Sequence, residues 1–173
     1  MPPNSRLGPP RSTIEPAWIV RSATEDDARK LGHGLAKGCY EEIIATTKFQ
    51  PISVLLKDYQ NKAVIADERK PSKAVAMIEV TPITARKSAA VWVGLTEEII
   101  SSEWFFSFTD YAHKVLEVLT GDKPALLTYV DARNIRKILW LERVGFKLVE
   151  ELPQYGHKEL PFKLYKRTKA RNV

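Results

Sequence analysis

The sequence has a single cysteine, Cys39, among its 173 residues. One thiol excludes an internal disulfide and gives no sign of an oxidising compartment. Three histidines, His33, His113 and His157, are scattered along the chain without the spacing of a zinc site. We therefore expect neither a disulfide framework nor a metal centre.

Long uncharged stretches are also missing. The longest run without Asp, Glu, Lys or Arg is the nine residues 88–96, whereas a membrane-spanning helix needs about 20 apolar residues. No apolar run follows the first residues of the chain, which is unlike a signal peptide. The sequence therefore predicts a protein without a membrane span that is made in a reducing cytoplasm.

The net charge of +6 is concentrated at the ends of the chain. Residues 17–162 hold 20 basic and 20 acidic side chains, whereas residues 163–173 hold five basic and no acidic ones. This basic end predicts a solubilising terminus, or a weak and salt-sensitive contact with nucleic acid through residues 163–173.

Residues 1–16 contain five prolines and almost nothing to bury. They predict an extended arm, which is either a leader or a strap that orders on a neighbouring protein. Residues 17–167 are long enough for one domain with its own core. Residues 168–173 remain as a basic C-terminal tail.

Apolar periodicity within the domain predicts an alternation of strands and helices. Strands are expected over residues 18–21, 63–66, 74–80, 89–94, 125–130, 146–149 and 162–166, the last two joined by a polar loop that contains Pro153, Gly156 and Pro161. Helices are expected from Thr24 to Gly38, over residues 39–47, after Pro51, over residues 104–119, and over residues 134–144.

Two of these helices have predicted inward faces that bear on the site. Tyr40, Ile43 and Ile44 form the apolar stripe of the helix at 39–47. Ile135, Ile138 and Leu139 are expected to point inward from the helix at 134–144.

The element order and two segments resemble the GNAT superfamily of N-acetyltransferases. Residues 20–27 (VRSATEDD) are similar to the opening of that family, a strand that ends in Arg before an acidic helix cap. Residues 129–134 (YVDARN) and 140–146 (WLERVGF) resemble the family's second signature, in which Asn begins a helix and Gly-Phe ends it. The resemblance implies a mixed α/β fold whose central sheet is mostly antiparallel, with helices on both faces.

A narrower resemblance covers about residues 17–167. Residues 127–146, 153–156 and 161–162, together with residues 91–96 before an aromatic helix, are similar to the GNAT-like internal virion and head-assembly proteins of short-tailed bacteriophages. This likeness implies a structural or assembly protein of the virion, present in the host cytoplasm during assembly, with other virion proteins as partners.

Residues 96–103 (TEEIISSE) stand where a GNAT enzyme holds the pyrophosphate of acetyl-CoA. They contain no glycine, no arginine and three acids, which predicts poor phosphate binding because backbone N–H groups must approach the anion closely. If acetyl-CoA binds at all, the resemblance assigns the contacts to Val93, Gly94, Thr96 and Asn134.

The catalytic acid of the family, a Tyr seven residues after the helix-starting Asn, is also missing. Leu141 occupies that position and has no proton to donate. Tyr129 and Tyr155 are the other candidate acids, and Glu79, Asp131 and His113 are candidate bases by residue type alone.

Several other side chains have two interpretations. Cys39 is a nucleophile or a packed thiol. Trp140 marks an interface or belongs to the core. The aromatic residues Trp92, Trp104, Phe105, Phe106 and Phe108 line an acyl pocket or build the core.

The sequence therefore favours a virion-associated protein on a degenerate GNAT-like fold without a cofactor. The alternative is an active N-acetyltransferase that moves an acetyl group from acetyl-CoA to an amine on a host or phage protein.

Overall fold

The structure is a computed structural model that describes residues 14–83 and 88–169. Residues 1–13, which make up most of the predicted arm, and residues 170–173 of the predicted tail lie outside the described residues.

Strands and helices follow one another in the predicted order. The strands are β1 (Trp18–Ser22), β2 (Lys62–Asp67), β3 (Ala74–Ile83), β4 (Ser88–Leu95), β5 (Ala125–Asp131), β6 (Lys147–Tyr155) and β7 (Leu160–Thr168). The helices are α1 (Glu25–Gly34), α2 (Lys37–Thr46), α3 (Pro51–Leu56), α4 (Glu97–Ile100), α5 (Phe105–Thr120) and α6 (Ile135–Arg143), with a 3-10 turn at Tyr59–Asn61.

The strands form one sheet in the order β1-β2-β3-β4-β5-β7-β6. Neighbouring strands are antiparallel except β4 and β5, which are parallel and are joined by the crossover through α4 and α5. The mixed, mostly antiparallel α/β fold that the sequence predicts is confirmed.

A reciprocal cap begins α1 as the sequence predicts. The Thr24 hydroxyl accepts a hydrogen bond from the backbone N–H of Asp27 at 3.2 Å, and the Asp27 carboxylate accepts one from the backbone N–H of Thr24 at 2.8 Å. Arg21 at the end of β1 donates to the same carboxylate at 2.6 Å. This contact fixes the direction in which the chain leaves the first strand.

Two predicted boundaries are wrong. α1 ends at Gly34, and Gly38 lies inside α2, where a Cβ atom would overlap the side chain of Asn134. The predicted polar loop near the C-terminus is the β6–β7 hairpin, with Pro153 and Pro161 inside strands. Pro153 is tolerated because β6 is the last strand of the sheet, and Pro161 because it is the second residue of β7.

The predicted inward faces of α2 and α6 are also wrong in part. α2 buries Glu42 together with Ile43, while Tyr40 is 38% exposed. α6 buries Lys137, Ile138, Trp140 and Leu141, whereas Ile135 is 57% and Leu139 61% exposed. Both helices thus place a charged side chain in the interior, against the usual rule that charges stay at the surface.

Candidate functional site

The candidate site lies where β4 and β5 separate. These two strands pair only at Ala89 with Leu126 and Ala90 with Leu127. Beyond these pairs their facing edges are no longer joined to each other. Ligands of open α/β sheets bind in crevices of this kind, at the carboxyl ends of parallel strands.

A recess of about 270 Å³ at this cleft brings together three of the predicted acid and base candidates. The rings of Tyr129 and Tyr155 stack with centroids 4.7 Å apart and planes 9° from parallel. Glu79 lines the same recess, and its carboxylate lies 3.5 Å from the buried Lys62 ammonium. Burial and the neighbouring Tyr129 raise the pKa of Tyr155.

The other two candidates lie elsewhere. Asp131 lines a second groove of about 480 Å³. Burial favours the neutral form of its carboxyl group, but hydrogen bonds from the Arg133 side chain, one of them at 2.6 Å, outweigh that effect and lower its pKa. A carboxylate held in this way is a weak proton acceptor. His113 is exposed on α5 and is not among the residues that line the recess.

A buried ion pair joins α2 to α6 beside the recess. Glu42 and Lys137 are 3% and 1% exposed, and Lys137 Nζ lies 3.0 Å from Glu42 Oε1. Asn134 Nδ2 donates to the other carboxylate oxygen of Glu42 at 2.7 Å. We call Glu42, Lys137 and Asn134 the polar cluster.

Burial and pairing compete within the polar cluster. Burial raises the pKa of the Glu42 carboxyl group, and Lys137 and Asn134 counter part of this effect. Burial also disfavours the charge on Lys137, but the Glu42 carboxylate outweighs burial and raises the pKa of Lys137. Each charge is therefore held in the interior by the other members of the cluster.

Two neighbours fit closely around the polar cluster. Lys137 Nζ lies 5.7 Å from the centroid of the Trp92 ring, at cation–π distance. The Trp92 ring lies so close to Gly94 that a Cβ atom there would overlap it. Gly38 gives the Asn134 side chain its space in the same way. No side chain could be added at either glycine without displacing the cluster or its aromatic neighbour.

The connection between α1 and α2 forms backbone contacts with the edge of β4 that faces away from β3. The backbone N–H of Thr96 donates to β3 at Val75, so the backbone groups of Leu95 point to the opposite edge because successive residues of a strand alternate. There the Leu95 carbonyl accepts from the N–H of Ala36 at 2.8 Å, and Leu35 forms a bridge with Thr96. The connection between α1 and α2 therefore covers this edge at its Leu95 end.

Cys39 is packed behind the same connection. Its side chain is 1% exposed, and burial raises the pKa of the thiol more than Lys137, the Leu95 backbone and Asn134 lower it. A buried thiol with a raised pKa is a poor nucleophile. The packed interpretation of Cys39 fits its surroundings.

The segment from Thr96 to Phe105 uses most of its backbone donors internally. Thr96 caps α4 by accepting from Ile99, and the next N–H groups donate to oxygens within the segment. The donors concerned belong to Ile99, Ile100, Ser101, Ser102, Trp104 and Phe105. Glu97 and Glu98 add negative charge at the start of this one-turn helix.

These observations do not fit acetyl-CoA. A bound pyrophosphate needs free N–H groups, whereas most of those in this segment are used internally and two carboxylates stand at its start. Val93 is buried in β4, and Gly94 is covered by Trp92. Thr96 caps α4, and Asn134 both caps α6 and binds Glu42. A cofactor role for these four residues stays a prediction.

The remaining aromatic and buried candidates belong mainly to the core. Trp140 is 2% exposed, stacks near Phe108 and is not itself at the surface. Leu141 is fully buried. Phe106, by contrast, is 61% exposed on α5.

Residues 14–83 and 88–169 contain no helix long and apolar enough to cross a membrane. The same residues contain no group of three or more His, Cys, Asp or Glu side chains that could hold a metal ion.

No protein-family model and no curated protein sequence matches the chain. Solved structures do. An acetyltransferase of the GNAT family from Bacillus anthracis superposes with a TM-score of 0.66 at 9% identity, over 87% of this chain and 94% of that one. The N152L mutant of spermidine N-acetyltransferase SpeG from Vibrio cholerae gives 0.61 at 10% identity, over 89% and 95%.

A third match is AAC(6')-Ib in complex with paromomycin and acetyl-CoA, with a TM-score of 0.64 at 12% identity, over 90% of this chain and 98% of that one. Identities this low establish the architecture alone. The chain has the GNAT-like fold, with a recess between β4 and β5 that Glu42, Glu79 and Tyr129 line.

Proposed function

We propose that this chain acts by binding other proteins and does not transfer acetyl groups from acetyl-CoA. The observation that carries the proposal is the polar cluster, which joins α2 to α6 at the cleft. The internally bonded segment from Thr96 to Phe105 supports it.

The energetic scale favours a polar cluster that stays intact. Separating Glu42 from Lys137 strands a buried charge, at a cost of about 3–5 kcal/mol. A cofactor bound at micromolar affinity gains about 8 kcal/mol in total. Opening the cluster would thus consume roughly half of that gain before any new contact forms.

The resemblance in sequence supplies the narrower part of the proposal. Residues 127–146, 153–156 and 161–162 resemble phage virion proteins, and we propose a structural or assembly role in a bacteriophage particle. The chain would be present in the host cytoplasm during assembly and afterwards in the virion, with other virion proteins as partners.

Contact with nucleic acid is a minor part of the proposal. Arg167 is 3% exposed and donates to Glu117, and Lys163 lies 3.4 Å from Glu151. Fewer of the basic side chains in residues 163–173 are therefore free for phosphate than the sequence suggests. Any such contact would be weak and salt-sensitive.

The experiment that tests the proposed role is quantitative mass spectrometry of purified virus particles from infected cells that produce the chain. A fixed copy number per particle is expected. Particles that contain no copies would contradict the virion role.

The acetyltransferase alternative has its own test in the recess of Tyr129, Tyr155 and Glu79. Acetyl transfer that is lost in Tyr155→Phe and kept in Tyr40→Phe, an exposed tyrosine on α2, would support that alternative and contradict our proposal. We expect no acetyl transfer by the unmodified chain.

A further inference from the structure

The outer face of α6 carries apolar side chains where a helix at the surface is usually polar. Ile135 and Leu139 are 57% and 61% exposed, and they lie one above the other because they are four residues apart. Phe106 at the start of α5 is 61% exposed. Exposed apolar residues grouped in this way mark interaction sites.

A groove of about 430 Å³ lies between α5 and α6. Its apolar lining comes from Ile100, Phe105, Phe106, Leu139 and Trp140. We call it the outer groove. Aromatic side chains and arginines are enriched at protein interfaces, and this groove contains both.

The charge of the outer groove is of one sign. Arg136 and Arg143 are its charged lining residues, and no acid lines it. They are seven residues apart, or about 10 Å along α6. Arg143 stacks over the Phe106 ring at 4.6 Å, and Arg136 pairs with Glu97 at 3.2 Å in an exposed contact. An exposed pair of this kind exchanges readily for another carboxylate.

Trp140 adds an unmet donor to the lining. Its Nε1–H group is buried and has no hydrogen-bond acceptor within residues 14–83 and 88–169. A buried donor without an acceptor is unfavourable by about 1–3 kcal/mol.

We propose that the outer groove binds an acidic, amphipathic helix of a partner protein. Apolar side chains of that helix would lie against Leu139 and Phe106, and its carboxylates would pair with Arg136 and Arg143. The chain's own N-terminal arm is a poor occupant, because residues 1–16 carry two arginines and a single acid, Glu15. This inference rests on the proposed binding function and names the chemistry of the partner.

The test uses three synthetic helix-forming peptides of about 15 residues. The first has leucines on one face flanked by glutamates, the second replaces the glutamates with lysines, and the third replaces the leucines with serines. Binding to the full chain is followed by fluorescence anisotropy and by NMR shifts, including the indole N–H of Trp140. We expect binding of the first peptide alone, with shifts at Leu139, Phe106 and Trp140.

Variants assign the site. Leu139→Ser and the double charge reversal Arg136→Glu/Arg143→Glu should each weaken the acidic peptide by about tenfold or more. The charge reversal should bind the lysine peptide instead. Val118→Ser is the matched control, because Val118 is 79% exposed on α5 and does not line the groove.

Three results would overturn the inference: no binding of the acidic peptide at millimolar concentration, equal weakening by Val118→Ser, or shifts at the same residues caused by acetyl-CoA. The last would assign the groove to a nucleotide. A chain absent from virus particles that still binds the acidic peptide would contradict the virion role and leave this inference standing.

Discussion

The two sides of α6 differ in a way that reverses the usual pattern of a surface helix. Its inner side places Lys137 against Glu42 in the interior, whereas its outer side exposes Ile135 and Leu139. A buried ion pair thus lies at the wall of the cleft, and an apolar surface stays open on the outside. This contrast is the basis of our proposal that the outer face binds a partner.

The two ion pairs that involve α6 show the same contrast. The pair of Lys137 and Glu42 is almost fully buried, while the side chains of Arg136 and Glu97 are 68% and 55% exposed. A buried pair is costly to break from one side, and an exposed pair contributes little. The predictions below test this contrast, from the largest expected effect to the smallest.

The largest effect is expected from Lys137→Met, which keeps most of the side-chain volume and removes the charge. It strands the Glu42 carboxylate in the interior, so the free energy of unfolding should fall by about 3–5 kcal/mol. Urea denaturation monitored by tryptophan fluorescence measures the change.

Two controls belong to this measurement. The double variant Glu42→Gln/Lys137→Met removes both charges and should be more stable than Lys137→Met alone. Glu97→Ala, which breaks the exposed pair with Arg136, should cost at most about 1 kcal/mol. Equal losses for Lys137→Met and Glu97→Ala would contradict the difference between the buried and the exposed pair.

A smaller effect is expected at Gly38. The added methyl group of Gly38→Ala would overlap Asn134, which caps α6 and binds Glu42, so a loss of about 1–3 kcal/mol should follow. Gly34→Ala is the matched control, because the nearest atom to its Cβ is 4.0 Å away in Thr96. That substitution should be neutral or stabilise by a few tenths of a kcal/mol. Thermal unfolding measures both changes. If the two variants changed stability in the same direction, the close fit at Gly38 would be contradicted.

Lowering the pH should destabilise the protein in part through protonation of Asp131, which lies beside the cleft. Its pKa is lowered in the folded protein, so its contribution is complete above the ordinary Asp value of about 4 and is lost as pH falls through the folded value. As pH falls, the Asp131 carboxylate of the unfolded chain binds a proton before that of the folded protein does. The free energy of unfolding therefore decreases. Asp131→Asn should therefore reduce stability at neutral pH and flatten the loss as pH falls below about 4.

Denaturant unfolding at a series of pH values measures this dependence. Asp26→Asn is the control, because Asp26 is 62% exposed and pairs only with Lys30 at the surface. An acid slope that is the same in Asp131→Asn and in the unmodified chain would show that Arg133 does not stabilise the carboxylate.

The smallest effect on stability is expected at the outer groove. Leu139→Ser removes an exposed side chain and should change the free energy of unfolding by at most about 0.5 kcal/mol. Ile138→Ser, one residue earlier and 7% exposed, should cost several times more. Similar losses at both positions would contradict the orientation of α6.

The sequence predicts the elements better than it predicts the directions of their side chains. The cap at Thr24, the long helix α5 and the lack of a phosphate-binding turn after β4 follow from residues that are neighbours in the chain. Each is decided by local chemistry, which a sequence displays directly.

The polar cluster could not be predicted in this way. Lys137 and Glu42 are 95 residues apart, and a charged residue within an apolar helix is read as a surface position unless its partner is known. For this reason the sequence predicts Ile135 and Leu139 on the inner face of α6, where the structure has Lys137 instead. Gly38 gave no hint of the cluster, because the sequence places it at the end of a helix, where glycine is common.

The measurement that tests the central claim most directly is thermal unfolding of the full chain with and without millimolar acetyl-CoA. Ligand at about 100 times its dissociation constant adds about 2.7 kcal/mol, which would raise the melting temperature of a domain of this size by roughly 5–10 °C. We predict an unchanged melting temperature, because the segment from Thr96 to Phe105 uses most of its N–H groups internally and begins with two acids. A rise of several degrees would contradict this account and favour the acetyltransferase.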